Sequence, residues 1–175
     1  MDRIAQKAGG NKERIYAYFG TKDQLFDAVY SAYLEQSLGA AEFDATYLPG
    51  YAGRMVDQFA AHPGHLRLST WYRLERPDGD GLAAVRTVNR ARVGAIRQAQ
   101  RADVVRDDLQ AAEILTLVQA LAASWHTMNP EFGTATARIS GRRRRAAVVD
   151  AVRRLVTPAG GPLDLERSKF RTVAE

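Results

Sequence analysis

A chain of 175 residues with 46% hydrophobic content is long enough to bury one compact core and too apolar to be disordered. It contains no cysteine, which excludes disulfides, a cysteine nucleophile and a thiolate metal site, and no run of roughly 18 apolar residues that would make a membrane-spanning helix. The net charge of +5 and a pI near 9.7 suit an anionic partner.

That charge is uneven. Residues 1–22 hold Arg3, Lys7, Lys12, Arg14 and Lys22 against Asp2 and Glu13, a net +3. The stretch DRIAQKAGGNKERIYAYFGTKDQLFD, residues 2–27, reads as a helix, a glycine turn, a short cationic helix and the start of a third helix. Ile4, Ala5 and Ala8 share one helical face, with Arg3 and Lys7 on another. Gly9 supplies a left-handed residue that closes the first helix, and Asn11 is a good N-cap for the second. Ile15 and Phe19, four apart, point inward together. Lys12 and Arg14 in the first turn oppose the helix dipole, so stability alone does not explain them. Opposite an anion they become favourable, as do the free amides of the same helix start. Tyr16 and Tyr18 offer hydroxyls to phosphates. Thr21 and Gln24 form a T-x-x-Q capping box, after which Leu25, Phe26 and Val29 begin a new apolar face. The layout is that of a helix-turn-helix.

The remainder reads as helices broken by turns. An amphipathic run covers 22–46 through Tyr33 and Leu34, with Pro49 and Gly50 expected to break it. A helix follows to about Ala61, carrying Met55, Val56 and Phe59. Pro63 suits the first turn of the next helix, which ends before Pro77. Residues 78–81, Asp-Gly-Asp-Gly, make a turn, and a long helix covers 82–101. Asp107 and Asp108 are expected to open another that runs to about Met128, with Pro130 as its stop. A last helix spans 141–156, and the turn-rich tail, 158–175, is expected to be disordered. On the last two long helices Ile114, Leu115, Val118, Leu121 and Trp125, and Val148, Val152 and Leu155, make broad apolar stripes. Such stripes serve an intrachain core or a partner equally well.

Other patterns carry less. Arg142–Arg145 is read as the solvated or acid-paired face of a helix rather than a nucleic-acid patch. His62 and His65 have His-x-x-His spacing without a carboxylate nearby, so they are read as structural and no metal is expected. No nucleophile motif, phosphate loop or carboxylate pair stands out, so neither an enzyme nor a cofactor is expected. Met55, Phe59, Trp71, Tyr72 and Trp125, with Tyr51, His65 and His126, gather aromatic surface in the middle helices, which suits a plain core or an apolar small-molecule site. Arg73 and Arg92 would favour an acidic ligand there.

The segment Ile4 to Phe26, with I-A-x-x-A-G, Y-x-Y-F and K-x-x-L in order, resembles the signature of TetR-type bacterial transcriptional regulators. The resemblance implies an all-α fold, with a helix-turn-helix DNA-binding module at 1–30 and a helical ligand-binding and dimerisation domain at 31–157. It implies that Asn11, Lys12 and Arg14 approach bases or phosphates while Tyr16, Tyr18 and Lys22 hold the backbone. It also implies that the last two long helices pair across a two-fold axis through Leu121, Val148 and Val152. The expected partners are a double-stranded DNA operator, a small molecule and a second copy of the chain, with no membrane. The expected function is a ligand-responsive repressor; the alternative is a ligand-binding helical dimer that does not bind DNA in this form. The family has an apolar residue where this chain has Gly10, and a helix before the I-A-x-x-A-G segment. Without that helix Ile4, Ala8, Ile15 and Phe19 lack a partner surface, and the expectation is that the upstream frame encodes it.

Overall fold

The computed structural model describes residues 2–77, 81–126 and 132–158, and within them every regular element is an α-helix. They run α1 (Asp2–Lys7), α2 (Lys12–Phe19), α3 (Lys22–Ala40), α4 (Leu48–Ala61), α5 (Pro63–Glu75), α6 (Gly81–Arg101), α7 (Ala111–Ala123), α8 (Gly133–Thr136) and α9 (Gly141–Val156). The expected turn at 78–80, the Pro130 stop and the tail beyond Pro158 lie outside the described residues.

Local chemistry sets most helix ends. Gly9, at φ +61°, closes α1. Asn11 Oδ1 caps α2 by accepting from the Glu13 amide at 2.6 Å. Gly20 ends α2 at φ +70°, and a Cβ there would sit 2.1 Å from Gln24 Oε1. That oxygen is committed: it accepts from the Thr21 amide at 2.7 Å while Thr21 Oγ1 accepts from the Gln24 amide at 3.2 Å. The two bonds are the expected capping box of α3.

Three boundaries differ from expectation. Helix α3 stops at Ala40, and Ala41 continues in extended conformation. Asp44 Oδ1 accepts from both the amide and the hydroxyl of Thr46, a local turn that competes with helix. Pro49 therefore opens α4 rather than breaking α3, because a proline in the first turn forfeits no helical bond. Asp107 and Asp108 do not start α7. Asp108 is held by the Arg106 guanidinium, and the cap is Gln110, in a box with Glu113. Finally, α7 ends at Ala123, and α8 is a four-residue helix that no periodicity announced.

Two apolar clusters result. The larger joins α4, α6, α7 and α9 through Leu48, Tyr51, Val56, Ile96, Ile114, Val118, Val148 and Val152. At Gly53, α4 comes close to α9: a Cβ there would meet the Arg145 guanidinium at 2.8 Å and Val149 Cγ2 at 3.1 Å. The smaller cluster joins α3, α5 and α6 through Tyr30, Leu34 and Tyr72, with Phe26, Tyr33 and Leu82 packed on it.

This packing decides the role of α9. Val148 and Val152 are 3% and 0% exposed in the single chain. They belong to its own core and have no surface left for a partner, which corrects the expectation that they face a second copy. Leu121 is half-buried and Leu117 remains 42% exposed, so α7 keeps an outward apolar flank.

The ledger between core and surface is testable. Ile114→Ala, at a site with no exposure, should lower the unfolding free energy in a urea titration by about 2–5 kcal/mol. Arg145→Ala removes the exposed 2.8 Å ion pair with Asp57 between α9 and α4 and should cost no more than about 1 kcal/mol.

Candidate nucleic-acid interface and ligand cavity

Helices α1 and α2 pack on each other, and α2 packs on α3. Ala5 is the buried residue of this pair; Ile4 and Phe19 are 42% and 43% exposed and Ile15 is half-buried, so its apolar face is largely open. The cationic side is open as well. Asn11, Arg14, Tyr16, Tyr18 and Lys22 are all exposed, Tyr18 at 76%. Asn11 stands at the start of α2, Arg14 and Tyr18 share one side of it with Tyr16 on another, and Lys22 is the first residue of α3. Lys12 is different: its Nζ lies 2.8 Å from Asp2 Oδ1. The bond and the charge of each partner hold Asp2 below the usual carboxylate range and Lys12 above the usual amine range. No sequence pattern marked this pair, because the turn between α1 and α2 brings the two residues together.

Arg76, at the end of α5, ties the start of α3 down. Its Nη2 lies 3.1 Å from Asp23 Oδ1 and its Nε 3.2 Å from Asp27 Oδ1, and the guanidinium carbon sits 5.1 Å from the Phe26 ring centre. Sequence reasoning missed Arg76; its only local signal was a cation just beyond the last turn of a helix. Behind it Tyr30 stacks on Tyr72 with ring centres 3.7 Å apart and planes at 9°.

A cavity of about 290 Å³ opens behind that stack, bounded by α3, α4, α5, α6 and α7. Tyr30, Tyr33, Leu34 and Ser37 contribute from α3, Met55 and Phe59 from α4, His65, Ser69 and Arg73 from α5, Asn89 and Arg92 from α6, and Gln119 from α7. Of the five residues expected at a ligand, Met55 and Phe59 line it. Trp71 is 52% exposed and meets Phe26 edge-on at 5.1 Å. Tyr72 is buried in the stack beneath the wall. Trp125 lies beneath the Arg144 guanidinium at 5.3 Å. None of these three is a lining residue.

The histidines and the arginine run find structural surroundings. The His62 and His65 rings stack at 4.7 Å, and among the described residues no three His, Cys, Asp or Glu side chains gather where a metal would be held. Burial, then the neighbouring His62, depresses the His65 pKa; burial, then Arg144, depresses that of His126. In the run Arg142–Arg145, Arg144 also donates from Nη2 to the Thr136 carbonyl at 3.0 Å and Arg145 pairs with Asp57. No helix among the described residues is long and apolar enough to cross a membrane.

Comparison with known proteins agrees with this arrangement. Residues 1–29 match the family described as bacterial regulatory proteins, tetR family, and residues 47–154 match the tetracyclin repressor-like C-terminal domain. The HTH-type transcriptional repressor SCO4008 of Streptomyces coelicolor is 35% identical over 133 residues, 75% of this chain and 69% of its own length. The crystal structure of SCO4942 from Streptomyces coelicolor, provisionally described as a transcriptional regulator, is 36% identical with a TM-score of 0.79, over 89% of this chain and 85% of that one.

The depressed histidines predict how stability depends on pH. A histidine kept neutral by the fold takes up a proton more readily once unfolded. Its contribution is therefore intact above the unfolded pKa of about 6.5 and is lost as pH falls through the folded value. The thermal midpoint should drop between pH 7.5 and 5.5, flanking that value, and the double substitution His65→Gln/His126→Gln should make the drop shallower.

Proposed function

The chain belongs to the tetR family of bacterial regulatory proteins, a family of DNA-binding transcriptional regulators and not of enzymes, and we propose that it is a ligand-released repressor that holds its operator as a homodimer. One observation carries this reading: α3 belongs to two sites at once. Its capping turn follows α2 directly, and Tyr30, Tyr33, Leu34 and Ser37 on the same helix line the cavity. A ligand that shifts α3 shifts the helix that would enter the groove. We read residues 1–30 as the DNA-binding module and 31–157 as the ligand-binding and dimerisation domain, so α3 spans the boundary.

In this reading α2 is the recognition helix. Asn11, Lys12 and Arg14 approach bases or phosphates at its start, and Tyr16, Tyr18 and Lys22 hold the backbone. Lys12 has to exchange Asp2 for a phosphate to take part. A dimer places two such helices in successive major grooves, about 34–36 Å apart. Ligand binding that changes this separation removes simultaneous contact. The second copy would pack on the outward flank of α7, Leu117 and Leu121, and on Ala147 and Ala151 of α9. Leu117 is the large apolar residue exposed there, and the name of the repressor relative supports the sign of regulation. A second reading, a helical ligand-binding dimer that does not grip DNA, is favoured by the open apolar face of α1 and α2.

Selection from a random duplex library separates the two readings. The repressor should enrich an inverted repeat; recovery of no sequence favours the second reading. On the enriched site Arg14→Ala should lose about 1–3 kcal/mol at one base position and relax specificity there. Lys22→Ala should weaken all sequences alike and reduce the salt slope by about one unit. Equal losses on random DNA from both substitutions would show that Arg14 reads no base.

Sedimentation tests the dimer. Leu117→Glu should shift the chain to monomer with its helical content retained. Val152→Glu should unfold it, because the charge would be buried without a partner. A wild-type chain that sediments as a monomer at micromolar concentration overturns the dimer.

A further inference from the structure

We infer that the cavity takes an organic anion, an apolar or aromatic scaffold bearing one acidic group, with Arg92 as its counter-ion. The inference rests on reading this cavity as the effector site and adds the chemical class of the effector.

The first observation is charge. The lining holds two arginines, Arg73 and Arg92, and neither an aspartate nor a glutamate. A cationic ligand would find no carboxylate in the lining to pair with and two guanidinium charges to oppose it. The second is the setting of Arg92. It is half-buried, and its guanidinium carbon lies 5.5 Å from the Phe43 ring centre and 5.3 Å from that of Tyr51. Rings engage the face of a guanidinium and leave its in-plane N–H groups as donors. Among the described residues those donors have no hydrogen-bond or ion-pair partner. A partly desolvated, unpaired cation is costly, and a carboxylate or sulfonate accepting two of its N–H groups removes that cost.

A third observation is the polarity around it. One turn earlier on α6, Asn89 accepts from Gln119 Nε2 at 3.2 Å, which leaves its own amide NH₂ as a donor beside Arg92. Across the cavity, Ser37 Oγ and His65 Nδ1 are buried without a hydrogen-bond partner. Such groups are ordinarily satisfied, so a ligand with a polar function at its far end would complete them. Between the two ends the wall is apolar, with Leu34, Met55, Phe59 and Val85. The volume, about 290 Å³, lies at the low end for ligand sites, which suits a molecule of one or two fused or linked rings.

The test uses two fluorescent probes with one scaffold: anilinonaphthalenesulfonate, an anion, and its neutral parent phenylnaphthylamine. The wild-type chain should bind the anion about ten- to a hundredfold more tightly, the range of a charge-assisted hydrogen bond. Arg92→Gln should bring the two affinities together by weakening the anion alone. The unchanged affinity for the neutral probe would show that the cavity has survived. Arg92→Lys, which keeps the charge, should retain the preference, and Arg97→Gln, exposed on the same helix, should not alter it. Equal affinities in the wild type, a preference for the neutral probe, no saturable binding of either, or a preference untouched by Arg92→Gln overturns the inference. Operator selection reads none of this. An anion that binds through Arg92 but does not release DNA would sink the effector reading and leave the ligand class standing.

Discussion

Tyr30 and Tyr72 lie ring on ring, 3.7 Å between centres, with Tyr30 fully buried and Tyr72 nearly so. Through this contact α3 is fastened to α5, and from it the two candidate sites take their positions. On one side Phe26 and Arg76 extend the stack to the first turn of α3. On the other, Tyr33 and Leu34 carry the same surface to the wall of the cavity. The two rings lie nearly face to face, so their large apolar faces are buried against each other. Helix α3 is thus packed on α5 as well as on α6, and α2 packs on α3.

The charges divide along the same line. In the helical domain several arginines have work within the chain: Arg145 on Asp57, Arg106 on Asp108, Arg144 over Trp125 and Arg76 across two aspartates. In α2 and at the start of α3, Arg14 and Lys22 stand exposed, and Lys12 and Asp2 neutralise one another in a contact that water screens. A surface ion pair of this kind is weak and easily exchanged for a phosphate. Arg92 belongs to neither group. It is half-buried against two rings yet, among the described residues, has neither a carboxylate, as Arg76, Arg106 and Arg145 have, nor the carbonyl that Arg144 reaches, and that difference sets the cavity apart from the core around it.

The shape of the larger core explains why α9 looks like an interface in the sequence and is not one on its valine side. Gly53 lets α4 lie close to α9, where a Cβ would press on Val149 Cγ2 at 3.1 Å and displace the Arg145 guanidinium. The two helices close on each other, and Val148, Val152 and Val156 are used up inside the chain. The surface left for another copy lies beside those valines, on Ala147 and Ala151 of α9 and on the leucines of α7.

What the sequence by itself determined is whatever is decided within a few residues. Asn11, the Thr21–Gln24 box, Gly9, Pro63 and the limits of α6 and α9 were legible because a cap or a glycine turn acts over one helical turn, before any neighbour arrives. The helix-turn-helix signature was legible for the same reason, since its glycine, aromatics and lysine stand at fixed local spacings. What only the tertiary structure decided is which side of each helix is covered. Apolar periodicity shows that α9 has a face to bury, but whether α4 or a second chain buries it depends on how closely Gly53 lets α4 approach. Pro49 is a breaker or a starter according to the Asp44–Thr46 turn before it. Trp71, Tyr72 and Trp125 look like cavity aromatics until the tilt of α5 and the end of α7 turn them toward Phe26, Tyr30 and Arg144. These outcomes rest on contacts between residues far apart in the chain, and the periodicity of one helix carries no record of its neighbour.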